Sequence, residues 1–416
     1  SHTEKGTAYL SASRYMWDDY HPYIYVTTDY GAHWTTMTNG LPSDQYVFRV
    51  LQDPCEPRLL FAGTRSTVYV SLDGGAQWHP LTLNLPGVQV RDLAINTREG
   101  ELIAATHGRA FWILDNIALL EQLARQTTHS VAYPQLFAPE TAWMTQSYGR
   151  TDFPPQNSGN NPRYGARVFF NLPPNYNGRT PAILSILDAK GTPIRSLRLH
   201  LAAKKTVELS EDITNSKDAA YLRERAEREA TGVKPGMNAF QWDLKYPPAF
   251  DPPGYNNDTS NDWPDTGDGP TVLPGTYTVA LQYGSQRLQA PLTVALDPRV
   301  HPAGGELEAR LAFESQIVAT IDSLDRSIAA AQAARSHLSP ARRAGVDAEI
   351  SKLVLLHGSS SEYDVVYPDR LREQLGSLLN SLEVAYAKPT SAEIATYEDL
   401  KTEVAAGEAR LKTLSK

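Results

Sequence analysis

Cys55 is the single cysteine among 416 residues, so no internal disulfide can brace the fold. It sits in Asp53-Pro54-Cys55-Glu56-Pro57 with no candidate base beside it, which reads as an inert thiol rather than a nucleophile. No run of about 18 apolar residues occurs, so no helical membrane span is expected. No secretory signal opens the chain, because residues 1–6 lead straight into the strand pattern Thr7-Ala8-Tyr9-Leu10-Ser11. A Gly-rich phosphate loop, a His-x-x-x-His zinc pair and a Gly-x-Ser-x-Gly elbow are all missing. The ten histidines show no paired ligand spacing on one helix. Basic excess is missing too: a net charge of −8 argues against non-specific nucleic-acid binding. A hydrophobic content of 41% with 21% charge describes an ordered globular chain, not a disordered one.

What is present begins with a repeat. Thr27-Thr28-Asp29-Tyr30-Gly31-Ala32-His33-Trp34 returns 44 residues later as Ser71-Leu72-Asp73-Gly74-Gly75-Ala76-Gln77-Trp78. Both read [Ser/Thr]-x-Asp-x-Gly-x-x-Trp, and each follows an alternating apolar strand. Each residue type has a task in a tight turn between strands. The Asp accepts backbone N–H bonds, the hydroxyl of Thr27 or Ser71 bonds locally, and Gly31 or Gly75 takes a positive φ. Trp34 and Trp78 are expected to fold back and bury their rings against the sheet. Asp29 and Asp73 are thus read as turn residues, not catalytic acids. A period near forty with strand, turn and aromatic marks a β-propeller blade.

This pattern resembles the Asp-box, or BNR, repeat of sialidases, xyloglucanases, photosystem assembly propellers and the sortilin propeller. These families share the turn and differ in function, so the resemblance implies a fold and leaves the chemistry open. A third, worn unit follows at Val90–Ile95 and Glu101–Thr106, ending in Leu114-Asp115-Asn116-Ile117 without the Gly and Trp. Residues 1–118 are expected to supply the last two to three blades, too few to close a ring alone. The chain reads as the C-terminal part of a longer protein, the remaining blades coming from the same protein or another chain. In Thr106-His107-Gly108-Arg109, His107 and Arg109 are the candidates to line a ligand face, set against a plain hairpin turn with solvated side chains.

Residues 119–136 read as a linker with a short helix, and 137–298 as an all-β sandwich of short strands and hairpin turns. Leu187-Asp188-Ala189-Lys190-Gly191, Pro235–Asp243 and Pro274-Gly275-Thr276-Tyr277 resemble the Ig-like fold of flagellar hook-capping proteins. An Asp-box propeller end followed by this sandwich looks like the large sortilin-like proteins of bacteria, over roughly residues 1–298. Sortilin itself carries a cysteine-rich module after its propeller, which this chain lacks. Two insertions interrupt the sandwich. Residues 217–229 read as a charged, solvated helix. Asp258, Asp262, Asp265 and Asp268 form an oxygen-rich loop that is a calcium candidate without an EF-hand register. Residues 303–416 read as an antiparallel helical bundle. Ile317, Ile321, Leu324 and Ile328 make one stripe, Leu371, Leu375, Leu378 and Leu382 another, and Thr390 with Glu393 a capping box.

The sequence thus reads as mainly β with an α-helical C-terminus: a partial Asp-box propeller, an Ig-like sandwich, then a bundle. No constellation for catalysis is assembled, since no pair of carboxylates is tied to one cleft and no sialidase-like arginine triad fits incomplete blades. The functional expectation is a non-catalytic extracytoplasmic binding or scaffold protein for protein or glycan ligands, with no required cofactor. A glycoside hydrolase with its cleft mostly in further blades is the alternative.

Overall fold

The alternating patterns of the first hundred residues form three successive antiparallel sheets, each a meander in chain order. Sheet one holds β1 (Ala8–Arg14), β2 (Asp19–Thr27) and β3 (Thr35–Thr36). Sheet two holds β4 (Val47–Gln52), β5 (Leu60–Thr64), β6 (Val68–Ser71) and β7 (His79–Pro80). Sheet three holds β8 (Val90–Asn96), β9 (Glu101–Thr106) and β10 (Phe111–Leu114), followed by helix α1 (Ala118–Ala124). The computed structural model describes residues 1–126, 133–145, 164–201, 232–255, 269–356, 370–383 and 385–416. The four aspartates of the calcium expectation and the charged segment 217–229 lie outside the described residues.

Register makes the three sheets equivalent. Ala8 opposes Thr27 in sheet one as Leu60 opposes Ser71 in sheet two. β4 pairs with β5 as β8 pairs with β9, and both β4 and β8 carry a bulge at the same place, at Phe48 and Arg91. The turn that enters β5 is copied before β1. Asp53 Oδ1 accepts from the N–H groups of Cys55 (2.7 Å) and Glu56 (2.8 Å), and its own N–H reaches Leu59 O at 2.9 Å. Ser1 Oγ accepts from Thr3 (3.3 Å) and Glu4 (3.2 Å), and its amino group reaches Thr7 O at 2.9 Å. Sheet one therefore fills the places of β5, β6 and β7, with no described strand in the place of β4; sheet three fills those of β4, β5 and β6.

The repeated turns are built by their own side chains. Thr27 Oγ1 donates to Asp29 Oδ1 at 2.8 Å and accepts from Gly31 N–H at 2.9 Å, while Asp29 Oδ1 also accepts from His33 N–H at 2.9 Å. Ser71, Asp73, Gly75 and Gln77 make the same three bonds at 2.7, 2.8 and 2.9 Å. Gly75 needs its missing Cβ twice over: its φ is +92°, and a Cβ would meet Met37 at 1.7 Å. Trp78 is 1% exposed, and its Nε1–H donates to Met37 O of the preceding unit at 2.8 Å. Trp34 corrects the sequence reading, because it is 44% exposed. The Trp ring is buried by the sheet before it, not by its own turn, and no described sheet precedes sheet one.

The second half is also mainly β. One sheet orders β11 (Gln135–Leu136), β13 (Ala166–Leu172) and β17 (Gly236–Trp242). The other has six strands, in the order β12 (Ala142–Met144), β19 (Gln286–Leu296), β18 (Gly275–Tyr283), β14 (Ala182–Leu187), β15 (Pro193–Leu201) and β16 (Gly232–Val233). Alternate residues such as Val168, Phe170, Leu184, Trp242, Val279 and Leu292 meet in one core. The indole N–H of Trp242 donates to Lys245 O at 3.0 Å, so its burial leaves no donor unpaired.

The C-terminal region is helical: α2 (Glu306–Ala334), α3 (Pro340–Leu353), α4 (Leu371–Glu383) and α5 (Ser391–Leu414). The expected stripes face one core, with Ile317, Ile321, Leu324 and Ile328 all 0% exposed. Thr390 and Glu393 make both bonds of the capping box. Two buried ion pairs break the apolar pattern. Arg372 Nε donates to Asp325 at 2.8 Å, with both side chains at 0% exposure. Arg310 lies 3.4 Å from Glu314, and it also donates to Ala385 O at 2.9 Å. Burial pushes the Glu314 carboxyl up to about 7 against the opposing pull of Arg310. Tyr386 joins the helices to the sheets by donating to Met144 O at 2.9 Å.

Two outcomes follow from this packing. Trp78→Ala is expected to cost about 3–5 kcal/mol in urea unfolding and Trp34→Ala under about 1 kcal/mol; equal losses would overturn the inter-sheet account. The folded state also holds a proton on Glu314 that the unfolded chain releases above about 4.5. Stability should therefore fall as pH rises from about 4.5 to 7, and stay reduced above that window. Burial lifts Asp325 and Glu140 to about 7 as well, so Glu314→Gln removes only its own share of this slope, and its stability relative to the parent should improve by roughly 1–3 kcal/mol between pH 4.5 and 8. A pH-independent difference would count against it.

Candidate binding cleft

The three sheets bring their hairpin tips and inter-sheet connections together at one end. There an open cleft of ≈ 670 Å³ lies between sheets two and three. Its lining comes from four connections: Asp44 and Gln45 before β4, Arg65 and Ser66 between β5 and β6, Gly87–Gln89 before β8, and His107–Arg109 between β9 and β10. The two candidates from the sequence, His107 and Arg109, are thus in the same cleft.

Local folding holds them out. The tip 107–110 is closed by Thr106 N–H and Oγ1–H, both donating to Ala110 O at 3.1 and 2.6 Å, with Gly108 at φ +95°. Trp112 Nε1–H donates to Arg109 O at 3.0 Å, which fixes the backbone and frees the guanidinium. Both His107 and Arg109 are exposed. Among the described residues neither side chain has a hydrogen bond or ion pair, so both are free to meet a ligand. The hairpin reading of this stretch and the ligand-face reading therefore coexist: the turn presents the side chains.

Residues that sequence reasoning passed over complete the cleft. Arg65 occupies in sheet two the place of His107 in sheet three. Its N–H donates to Tyr46 O at 3.0 Å as that of His107 donates to Gln89 O at 2.9 Å. Extending the correspondence of Ala62-Gly63-Thr64 with Ala104-Ala105-Thr106 by one residue would have found it. Arg65 pairs with Asp44 at 3.2 Å and lies 5.7 Å over the Tyr20 ring. Gln45 forms the floor: its buried Oε1 accepts from Thr64 Oγ1 at 3.1 Å and Ser66 Oγ at 2.9 Å. Beside the cleft stands an aromatic group. Tyr15 stacks on Tyr46 at 4.9 Å, Tyr20 and Phe48 flank Tyr46, and Arg91 sits 4.3 Å over Phe48. Gln89 Nε2 reaches Tyr46 Oη at 3.1 Å, tying this group to the cleft wall. Met16 and Trp17, on the turn between β1 and β2, are 76% and 73% exposed.

One group of metal-ligand spacing occurs among the described residues: Asp53, Cys55 and Glu121. It lies away from the cleft lining, and Asp53 caps its turn as Ser1 does in sheet one. Burial pushes the Cys55 thiol up, which disfavours the thiolate that metal binding or nucleophilic attack requires.

No family model matches the chain, and no curated protein matches it. Two solved structures show low-scoring likenesses to parts of the chain. One is the GH74 xyloglucanase from Xanthomonas campestris, at 13% identity and a TM-score of 0.21, covering 41% of this chain and 27% of that chain. The other is the extracellular domain of the one-component system BT4673 from B. thetaiotaomicron, at 8% identity and a TM-score of 0.18, covering 70% of this chain and 30% of that chain. The chain thus spans less than a third of either protein. Likenesses at this distance carry no argument about ligand or chemistry. No described helix is long and apolar enough to cross a membrane.

The floor of the cleft has a measurable consequence. Gln45→Ala strips the Ser66 hydroxyl of its acceptor, while Thr64 Oγ1 keeps Thr67 O at 2.8 Å, and should cost about 1 kcal/mol in urea unfolding. A neutral effect would mean that the Ser66 hydroxyl finds another partner.

Proposed function

We propose that this chain is a non-catalytic, extracytoplasmic binding module that takes a protein or glycan ligand in the cleft between sheets two and three. In this reading residues 1–118 are successive units of an Asp-box propeller of the sortilin-like kind, 137–298 an Ig-like sandwich and 303–416 a docking bundle. Further blades complete the propeller. The observation that carries it is the cleft's chemistry: the unpaired Arg109 and His107 face Arg65 across a polar floor, with aromatic rings alongside. Arginine forks hold carboxylates, and aromatic faces hold sugar rings or side chains, so the set suits recognition. Hydrolysis of a glycoside calls for two carboxylates about 5–10 Å apart. Asp44 is the one carboxylate among the described lining residues, and Arg65 occupies it. The described lining of this cleft therefore holds no such pair by itself.

The test is an array of acidic glycans and acidic peptides probed with the full chain, followed by titration calorimetry on the hits. Arg109→Ala and His107→Ala should each weaken the retained ligand about 5- to 50-fold while leaving the melting midpoint unchanged. Binding indifferent to both substitutions would remove the cleft from the account. Release of reducing sugar from any array member would remove the non-catalytic reading.

A further inference from the structure

The turn from β4 to β5 holds more charge than its geometry uses. Asp53 closes it through one oxygen, Oδ1, which accepts from the N–H groups of Cys55 and Glu56. In the other two sheets the matching turns are closed by neutral side chains. Ser1 Oγ does so before β1, and Asn96 Oδ1 accepts from Arg98 N–H at 3.3 Å between β8 and β9. A hydroxyl or an amide thus suffices for the cap. The second oxygen of Asp53 is left over. The residue is 1% exposed, and Oδ2 is buried with no hydrogen-bond partner among the described residues. Such an oxygen is costly to bury and calls for a partner of another kind.

Two further ligand-type groups stand beside it. Cys55 is exposed and Glu121 of α1 half-buried, and one donor atom from each of the three residues lies within 4.8 Å of the others. Glu121 Oε2 accepts from Arg125 at 3.0 Å, while Oε1 has no partner among the described residues. The neighbouring Glu56 is engaged at both oxygens, by Arg125 Nε at 3.0 Å and by Arg58 N–H at 3.2 Å. Burial pushes Asp53, Glu121 and Cys55 all above their ordinary values. The charge of Asp53 adds to this at Glu121, the charges of Glu121 and Asp53 add to it at Cys55, and Arg125 opposes both. A local excess of negative charge of this kind is what a bound cation offsets.

We propose that Asp53 Oδ2, Cys55 Sγ and Glu121 Oε1 form a zinc(II) site that fastens α1 to the β4–β5 turn. A thiolate with two carboxylates suits zinc, whereas magnesium and calcium take oxygen donors. Zinc bonds of about 2.0–2.3 Å set the corners of a tetrahedron about 3.3–3.8 Å apart, so the three groups close by up to about 1 Å. Asp53 is held in its turn, and the Cys55 and Glu121 side chains, both reached by solvent, make the movement. Water takes the fourth position. The thiol proton passes to solvent on binding, because a coordinated thiol ionises even where burial keeps the free one protonated. Leu120 and Ala124 already seat α1 on the sheet core, so the metal clips down the segment that leads away from sheet three. No residue of the cleft takes part, and the inference is independent of what the cleft binds.

Cys55 is the single cysteine, so its alkylation reports on this site alone. The reduced full chain is treated with iodoacetamide with and without zinc(II). Zinc should slow the reaction at least about 10-fold, and EDTA should restore it. Cobalt(II) in place of zinc should bind at one equivalent with a sulfur-to-cobalt charge-transfer band. Asp53→Asn keeps the capping oxygen and Glu121→Gln keeps the side-chain shape. Both should retain the parental circular dichroism and lose the protection by about 10-fold or more. His107→Ala should leave it unchanged. Where Asp53→Asn loses the parental spectrum, Glu121→Gln alone decides. An alkylation rate indifferent to zinc would overturn the proposal, as would protection that survives Glu121→Gln, or cobalt bound without the charge-transfer band.

Discussion

A four-stranded sheet of short strands has two apolar faces and no means of covering either. That constraint governs the first part of this chain. Each face must be closed by a neighbour of the same kind, and the neighbour's turn does the closing. Met37 shows how tight the fit is, for it offers its carbonyl to Trp78 and presses its methyl group against Gly75. The repeated turn is in this sense an inter-sheet device. Its aspartate and hydroxyl shape the loop, and the shaped loop delivers a tryptophan to the sheet before it.

The cleft is a by-product of the same stacking. Sheets that fan apart at one end leave a gap lined by equivalent positions from successive units. Arg65 and His107 are such a pair, each held by the same backbone bond to the strand-entry loop before it. A repeated scaffold thus sets the position, and unlike side chains at that position set the chemistry. The chain is acidic overall, yet among the cleft residues Arg65 and Arg109 outnumber the lone Asp44. A local reversal of sign of this kind favours anionic groups at short range, where screening is weakest.

Much of this was legible in the sequence wherever one residue decides its own conformation. Asp29, Asp73, Gly31 and Gly75 announced their turns, and the stripe through Ile317 and Ile328 announced its helix. Trp34 was not legible, because its burial depends on a neighbour and the two tryptophans look alike in sequence. Gln45 and Tyr46 were missed for a related reason, since their partners lie about twenty and forty residues away with no local pattern joining them. The parallel pairing of β12 with β19 has no short-range signal either. Arg372 had no local signal: it stands beside Leu371 in the stripe, and its burial rests on Asp325 and Asp251, which approach from distant parts of the chain.

The bulges at Phe48 and Arg91 have a consequence for how such a molecule can change. A bulged residue stands outside the two-fold alternation of its strand, so it belongs to neither apolar face. Here the two bulge residues come from adjacent sheets and meet, guanidinium over ring, next to the cleft. Each of β4 and β8 thus sets one side chain at the edge of the cleft, outside the apolar faces but in contact with the neighbouring sheets through Tyr15 and one another. A substitution at either position would therefore alter the cleft edge and the contact between sheets together.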